Sequence, residues 1–110
     1  MKLSEVRIGN FVWWNGVVVK VTSELLHAFI SGTADFEPVP LDQDWLRKFG
    51  FLEFNYPDSR SRWFSDDVLE LELKRDNTYI LKTFEIKSVH QLQNVYLDLT
   101  GDELTIAEEV

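Results

Sequence analysis

Two β-rich runs on either side of Asn15-Gly16 form the clearest hydrophobic pattern near the start of the chain. The runs cover residues 11–14 and 17–22, and valine and aromatic side chains dominate both. Asn-Gly between two such runs is the strongest short-range signal for a β-hairpin, because both turn residues must adopt a positive φ. The sequence therefore predicts a hairpin over residues 11–22. The next apolar run, residues 25–30, is compatible with a third strand or a short helix, and we favour the strand.

Residues 42–49 follow the rules for the start and the end of a short helix. Asp42 can cap the N-terminus by accepting hydrogen bonds from backbone N–H groups of the first turn. Asp44 adds negative charge at the positive end of the helix dipole. Gly50 follows the last turn, where a residue in the left-handed conformation commonly ends a helix. We therefore predict a helix over residues 42–49.

A second helix is predicted over residues 89–100, and its N-terminus is the better defined of the two. Ser88 is the N-cap, and Gln91 three residues later completes a capping box. Apolar side chains recur at helical spacing and form one stripe, with Val95 on its border: Val89, Leu92, Tyr96 and Leu99. The polar side chains expected to face away from this stripe are His90, Asn94 and Asp98. Gly101 ends the helix.

Alternation of leucine with charged residues over 68–74 indicates a strand that has one buried face. Leu69, Leu71 and Leu73 fall on the same face, and the residues between them are charged. This pattern is typical of an antiparallel sheet that packs one face on the core. Further strands are predicted over residues 51–54, 62–64 and 78–84, with a short edge strand over residues 102–107.

The order of these elements defines the expected fold class. Three N-terminal strands, a helix, three or four strands, a second helix and a last strand make an α+β fold with a mainly antiparallel sheet. The N-terminal hairpin region is expected to form an SH3-like half-barrel, and the helices at about 42–49 and 89–100 are expected to cover the remaining sheet. No linker interrupts the chain, so we expect residues 1–110 to form a single domain.

Acidic residues dominate the charge of the chain, which is −8 from 19 acidic and 11 basic residues. The excess lies in residues 35–44 and 98–110, which hold nine acidic residues and no basic one. This balance disfavours non-specific binding to the nucleic-acid backbone. The polar N-terminus lacks the apolar region of a signal peptide, and no apolar run reaches the ~20 residues that cross a bilayer. We therefore expect a cytoplasmic protein without a membrane partner.

No residue pattern supports catalysis, a cofactor or a metal ion. The chain has no cysteine, which excludes thiolate nucleophiles, disulfides and cysteine-based zinc sites. His27 and His90 are its two histidines, and they lack the spacing of metal ligands. The paired carboxylates of Asp66-Asp67 lie between two predicted strands, where aspartate commonly stabilises a turn. We therefore expect no enzymatic activity.

Adjacent tryptophans and one polar helix face are the candidates for an interaction surface. Trp13 and Trp14 belong to one predicted strand, so one of them is expected on the outer face or under the rest of the protein. His90, Gln91 and Asn94 offer hydrogen-bond donors and acceptors to a partner. A strand covered on both faces and a solvated helix face are the structural alternatives. The main hypothesis is a non-enzymatic interaction module that binds an unknown protein partner through these residues.

Two other functions stay open at this point. Arg60, Arg62 and Trp63 combine two cations with an aromatic ring, a pairing that grooves for single-stranded nucleic acid use. The acidic segments 35–44 and 98–110 are compatible with an acidic DNA mimic that inhibits a host defence enzyme. Solubility is the simpler explanation of the same charge.

Three segments carry a family resemblance. They are residues 7–12 (RIGNFV), residues 38–41 (PVPL) leading into 45–51 (WLRKFGF), and residues 89–104, which open with VHQLQNVYL. Together they resemble a family of short uncharacterised proteins encoded in phages, prophages and mobile elements of Bacteroides-type bacteria. Residues 53–84 contain no motif of that family. The resemblance implies a genomic setting and no chemistry, so no functional residue is transferred from it.

Overall fold

The first sheet of the protein is built around the N-terminal hairpin. The computed structural model describes residues 5–57 and 60–106. Strands β1 (Phe11–Trp14), β2 (Val17–Lys20) and β3 (Glu37–Pro38) pair in antiparallel fashion. Strand β1 lies in the centre of this sheet, with β2 and β3 on either side. Both edges of β1 are therefore paired.

The hairpin between β1 and β2 agrees with its sequence signal. Asn15 and Gly16 adopt φ values of 52° and 80°, as a two-residue turn of this type requires. Trp14 and Val17 face each other directly across the turn. The predicted hairpin over residues 11–22 is confirmed, although strand pairing ends before the last two residues of that range.

The segment predicted as a third strand is helix α1, Ser23–Ile30. Thr22 caps this helix, because its side-chain oxygen accepts a hydrogen bond from the backbone N–H of Leu25 at 3.2 Å. Leu25 and Phe29 lie about one helical turn apart and pack against the core of the first sheet. The strand prediction for residues 25–30 is wrong, because a short continuous apolar run does not distinguish a strand from a helix.

A second, larger sheet occupies the middle of the chain. Its antiparallel strands follow the order of the sequence: β4 (Leu52–Phe54), β5 (Arg62–Ser65), β6 (Glu70–Leu73), β7 (Tyr79–Leu81) and β8 (Phe84–Ile86). Each strand pairs with the one before it, so the sheet is a meander with local connections. The strands predicted at residues 51–54, 62–64 and 68–74 are confirmed, with small shifts at their ends.

The strand predicted over residues 78–84 is wrong in one respect, because it is divided into β7 and β8 by a tight turn. Lys82 adopts a φ of 56° in this turn, and Leu81 faces Phe84 across it. A lysine in the left-handed region is uncommon, and neither Lys82 nor Thr83 is a residue type that signals a two-residue hairpin turn. The local sequence therefore carries no mark of this turn.

Both predicted helices are present. Helix α2 covers Gln43–Lys48, and Asp42 caps it by accepting a hydrogen bond from the N–H of Trp45 at 2.9 Å. Gly50 follows the helix with a φ of 88°, the left-handed conformation that the sequence predicts there. Helix α3 covers Val89–Thr100 and is the longest helix of the described residues.

Two separate groups of buried side chains hold these elements together. The larger group lies between the second sheet and helices α2 and α3: Val39, Leu41, Leu46, Phe49, Phe51, Phe64, Leu69, Leu71, Leu73, Tyr79, Leu81, Ile86, Val89, Leu92 and Leu104. The smaller group lies between the first sheet and α1: Val6, Val12, Val21, Ala34 and Phe36. The second sheet therefore has the larger hydrophobic contribution to its stability.

The chain that leaves β3 runs beside the start of α3. The backbone N–H of Val89 donates to the C=O of Val39 at 2.9 Å, and the N–H of Leu41 donates to the C=O of Lys87 at 3.1 Å. These two hydrogen bonds fix the first turn of α3 next to β3. A polar helix end and a proline-containing segment are thereby placed side by side.

The last described segment does not form the predicted edge strand. Residues 102–106 have no strand pairing, and residue 107 lies outside the described residues. Leu104 is buried in the larger core, and Ile106 packs against the same core. The prediction of a strand over residues 102–107 is wrong for the described part, because its alternating apolar side chains pack against the core without pairing to a neighbouring strand.

The α+β class with antiparallel sheets is confirmed by this architecture. The likeness of the hairpin region to an SH3-like half-barrel stays a prediction. Within residues 5–57 and 60–106, none of the helices has the length and the hydropathy that a membrane crossing requires.

Candidate interaction surfaces

A groove of about 530 Å³ opens between the start of α3 and the segment around β3. Pro38, Pro40 and Val95 give it apolar walls, and Glu5 and Lys87 add one charge of each sign. Three of the residues predicted to contact a partner also line it: His90, Gln91 and Asn94. The fold therefore brings the predicted helix residues together at one concave surface.

Gln93 anchors α3 to the loop before β1, and its side chain is only 2% exposed. Its Oε1 accepts a hydrogen bond from the N–H of Phe11 at 2.8 Å, and its Nε2 donates to the C=O of Gly9 at 2.9 Å. The side-chain amide thus satisfies the loop backbone as a neighbouring strand would. Sequence reasoning missed Gln93, because a glutamine on a polar helix face gives no local signal of burial.

A second amide pair lies beside Gln93. The fully buried Asn10 accepts a hydrogen bond from the N–H of Arg7 at 2.8 Å and donates to Oδ1 of Asn94 at 2.9 Å. The Nδ2 of Asn94 donates in turn to the C=O of Glu5 at 2.9 Å. The alternative of a solvated helix face is wrong at Asn94, because its amide bonds to the N-terminal segment. These hydrogen bonds hold one wall of the groove in place.

His90 differs most from its predicted environment. It belongs to the helix face predicted to be polar, yet it is only 6% exposed, so the alternative of a solvated face is wrong at this residue. Its Nδ1 lies 3.1 Å from Oγ of Ser88, which is the N-cap of α3. Burial lowers the pKa of the imidazole, and the carboxylate of Glu5 opposes this effect. A neutral imidazole therefore lines the groove at neutral pH, with one nitrogen as donor and the other as acceptor.

Gln91 closes the N-terminal end of α3. Its backbone N–H donates to Oγ of Ser88 at 3.4 Å, which confirms Ser88 as the predicted N-cap. Its side-chain Oε1 accepts a hydrogen bond from the N–H of Lys87 at 2.9 Å, and its Nε2 donates to the C=O of Glu85 at 3.0 Å. The glutamine thus reaches the residue before the cap, one position earlier than a capping box predicts.

Trp13 and Trp14 are both half-buried. Trp13 packs against the larger core and Trp14 against the smaller one, because β1 lies between the two. Of the two placements expected for one of these tryptophans, the one under the rest of the protein is therefore found. Trp13 also borders a separate cavity of about 320 Å³, together with Asp35 and Glu37. A contact of either tryptophan with a partner stays a prediction.

The residues of the nucleic-acid alternative do not form one groove. Arg62 and Trp63 are neighbours in β5, so their side chains lie on opposite faces of the sheet. The guanidinium of Arg62 makes two hydrogen bonds to the carboxylate of Glu53, at 2.6 and 2.7 Å, and this pairing lowers the pKa of Glu53. Arg60 is exposed ahead of the same strand. Arg62 and Trp63 therefore do not share one face of the sheet, and a contact of these residues with nucleic acid stays a prediction.

Several acidic residues have structural partners within the fold. Asp44 forms an ion pair with Arg47 at 3.3 Å, and Glu103 accepts a hydrogen bond from the guanidinium of Arg7 at 2.8 Å. Asp66 accepts hydrogen bonds from two backbone N–H groups of the turn before β6, at 2.8 Å each, as its turn position predicts. Across residues 5–57 and 60–106, no group of three or more histidine, aspartate or glutamate side chains has a geometry that holds a metal ion.

An aromatic cluster on the outer face of the second sheet was missed by sequence reasoning. Phe54, Tyr56 and Trp63 contact one another there. Leu52 and Phe54 share this face, because they alternate around Glu53 in β4. That alternation is the sequence signal that points to the cluster.

Comparisons of the chain with protein-family models, with curated proteins and with solved structures find no match.

Proposed function

We propose that the protein is a non-enzymatic protein-interaction module, and that the groove beside α3 receives a segment of its partner. The observation that carries this proposal is a concave surface whose wall is held by side-chain hydrogen bonds of Gln93 and Asn94 to the N-terminal segment. A surface fixed in this way loses little conformational entropy when it binds.

The lining of the groove favours an uncharged peptide segment with an apolar side chain. Pro38, Pro40 and Val95 offer apolar contact. Glu5 and Lys87 carry opposite charges, so the groove favours an occupant without net charge. The two prolines lack a backbone N–H, so the segment around β3 cannot donate the regular hydrogen bonds of an added strand. Recognition at this site therefore relies on side chains.

The test compares proteins captured by the wild-type chain, Pro40→Lys and Pro57→Lys from a lysate of a Bacteroides-type bacterium. Pro40 lies in the groove, whereas Pro57 is an exposed proline outside it. We expect Pro40→Lys to reduce recovery of the partner about tenfold, because it places a cation and a long side chain in an apolar wall. Pro57→Lys should recover the partner as the wild type does.

Both variants should keep the wild-type free energy of unfolding to within about 0.5 kcal/mol, as exposed substitutions usually do. A folded Pro40→Lys that retains every captured protein would contradict the groove as the site. Recovery of nucleic acid alone, lost as salt rises, would support the nucleic-acid alternative. Recovery of a basic DNA-binding enzyme that DNA displaces would support the acidic mimic.

A further inference from the structure

The outer face of the second sheet departs from the usual pattern of a half-buried sheet. Such a sheet has apolar side chains on the core face and polar ones on the solvent face. Here Phe54 pairs with Trp63 on the outer face, and Trp63 pairs with Glu72. Ile80 lies opposite Glu72 on the same face. Large apolar side chains therefore stand on β4, β5 and β7 on the side away from the core, and Glu72 of β6 lies between Trp63 and Ile80.

Several apolar side chains of this face are open to solvent. Leu52 is 74% exposed, Val68 is 58% exposed and Tyr56 is 42% exposed. Trp63 and Val68 border a cavity of about 410 Å³. Contiguous exposed apolar surface of this kind marks sites of protein interaction more often than scattered single residues do.

The aromatic rings of this face are ordered by their mutual contacts. The ring of Tyr56 stands nearly perpendicular to those of Phe54 and Trp63, at 81° and 82°, with centroids 5.0 and 5.1 Å away. The hydroxyl of Tyr56 donates to the carboxylate of Glu70 at 3.0 Å. Glu72 accepts a hydrogen bond from the hydroxyl of Ser61 at 2.7 Å. Two carboxylates are thus fixed beside an aromatic surface.

Carboxylates next to aromatic rings have a specific chemical preference. The face of an aromatic ring attracts a cation, and tryptophan does so most strongly. Glu70 and Glu72, which line the same cavity as Trp63, add opposite charge for that cation. Lys82 is the basic residue of the lining, at the turn between β7 and β8. The cavity thus combines apolar contact with net negative charge.

We propose that this outer sheet face binds a basic segment of a protein partner, through arginine or lysine side chains placed on Trp63 and between Glu70 and Glu72. Phosphates of a nucleic acid would be repelled by the same carboxylates. A second copy of this chain would bring glutamates against glutamates, which is also unfavourable. A basic protein segment is the occupant that both the charge and the aromatic rings favour, and this surface is independent of the groove beside α3.

The probe for the test is the peptide acetyl-Arg-Leu-Arg-Leu-Arg-amide, titrated into the isotope-labelled chain and followed by nuclear magnetic resonance. The same peptide with glutamate in place of arginine is the control probe. We expect the arginine peptide to shift the indole N–H resonance of Trp63 and the backbone resonances of β5 and β6. The glutamate peptide should leave these resonances in place.

Matched variants separate this site from general attraction by the acidic chain. Glu72→Lys should weaken binding of the arginine peptide at least about tenfold, as removal of an interface hot spot does. Glu24→Lys changes the net charge equally at an exposed position outside the lining of the cavity and should leave binding within about twofold, because solvent and salt screen exposed charges. Trp63→Leu keeps both glutamates and should still weaken binding of the arginine peptide. Pro40→Lys should bind the peptide normally, so failure of the groove proposal is distinguishable from failure of this one.

Three results would overturn the proposal. In the first, Glu24→Lys and Glu72→Lys weaken binding equally. In the second, the resonance shifts lie around His90 and leave Trp63 unchanged. In the third, the outer face is occupied by a second copy or an oligonucleotide, detected as a dimer in sedimentation or as shifts of Trp63 on addition of single-stranded DNA.

Discussion

The two sheets of this protein are stabilised in different ways. Among residues 5–57 and 60–106, the second sheet encloses a core of fifteen buried apolar residues with α2 and α3, whereas the first sheet shares five with α1. The first sheet is also joined to α3 by the buried amides of Asn10 and Gln93. The first sheet, which has the smaller core, thus depends on hydrogen bonds to α3. The apolar side of α3 packs in the larger core.

Helix α3 is the element that this arrangement shares between the two sheets. Val89 and Leu92 are buried in the larger core, while Gln93 and Asn94 bond to the segment before β1. An amphipathic helix usually exposes its polar side to solvent. Here part of that side bonds to backbone groups, which explains how buried amides fit within a surface-type sequence pattern.

The largest expected effect comes from truncating one phenylalanine in each core. Phe64 and Phe36 are both almost fully buried, in the larger and the smaller core. We expect Phe64→Ala to lower the free energy of unfolding by about 3 to 5 kcal/mol. Phe36→Ala should cost about 3 kcal/mol, at the lower end of the same range, because half-buried Phe29 is stacked on it at 4.9 Å and can move into the cavity.

Urea denaturation measures both costs, and native-state hydrogen exchange shows where each is felt. Phe36→Ala should reduce protection of amides in β1 and β2 more than in β5 and β6. Phe64→Ala should reduce protection throughout the second sheet. Equal loss of protection in both sheets for Phe36→Ala would contradict the division into two cores, because it would mean that they unfold as one unit.

The next effect tests the amide bonds to α3. Gln93→Leu leaves the N–H of Phe11 and the C=O of Gly9 without their partners. Each buried group left unpaired costs about 1 to 3 kcal/mol, so the two groups together should lower the free energy of unfolding by about 2 to 6 kcal/mol. Hydrogen exchange at Phe11 should accelerate more than exchange in β6.

Gln43→Leu is the matched control for that substitution. Gln43 lies on α2, and its side chain accepts hydrogen bonds from the exposed arginines Arg47 and Arg62. We expect a change within about 0.5 kcal/mol, as for most surface substitutions. If Gln93→Leu cost no more than Gln43→Leu, the first sheet would not depend on its hydrogen bonds to α3.

Local chemistry made much of the fold predictable from the sequence. The turn at Asn15-Gly16, the cap at Asp42 and the left-handed Gly50 each depend on a few neighbouring residues, and each is found where expected. Helix α1 and the turn at Lys82 were missed, because their sequences lack a decisive local signal. Those elements are selected by packing and by strand pairing, which act over long distances in the chain.

The candidate site was predictable only as a group of residues. The spacing of His90, Gln91 and Asn94 on one helix placed them together, and the groove indeed contains all three. The hydrogen bonds of Asn94 were not predictable, because they reach a segment more than eighty residues earlier in the chain. The cluster around Trp63 was missed for a related reason, since alternation assigns residues to a face without showing which face meets the core.

The smallest expected effect is a pH dependence that originates at the junction of the two sheets. Burial lowers the pKa of His90 in the folded state, while the nearby Glu5 carboxylate acts in the opposite direction. Above the pKa of an unfolded histidine, about 6.5, the imidazole is neutral in both states and has no effect on the pH dependence of folding. Below it the unfolded chain binds the proton more readily, so stability falls as pH decreases from about 6.5 through the folded-state pKa.

His90→Gln tests this pH dependence. The difference between the urea midpoints measured at a neutral and at a mildly acidic pH should be smaller in His90→Gln than in the wild type. An unchanged difference in His90→Gln would show that the junction does not keep this imidazole neutral.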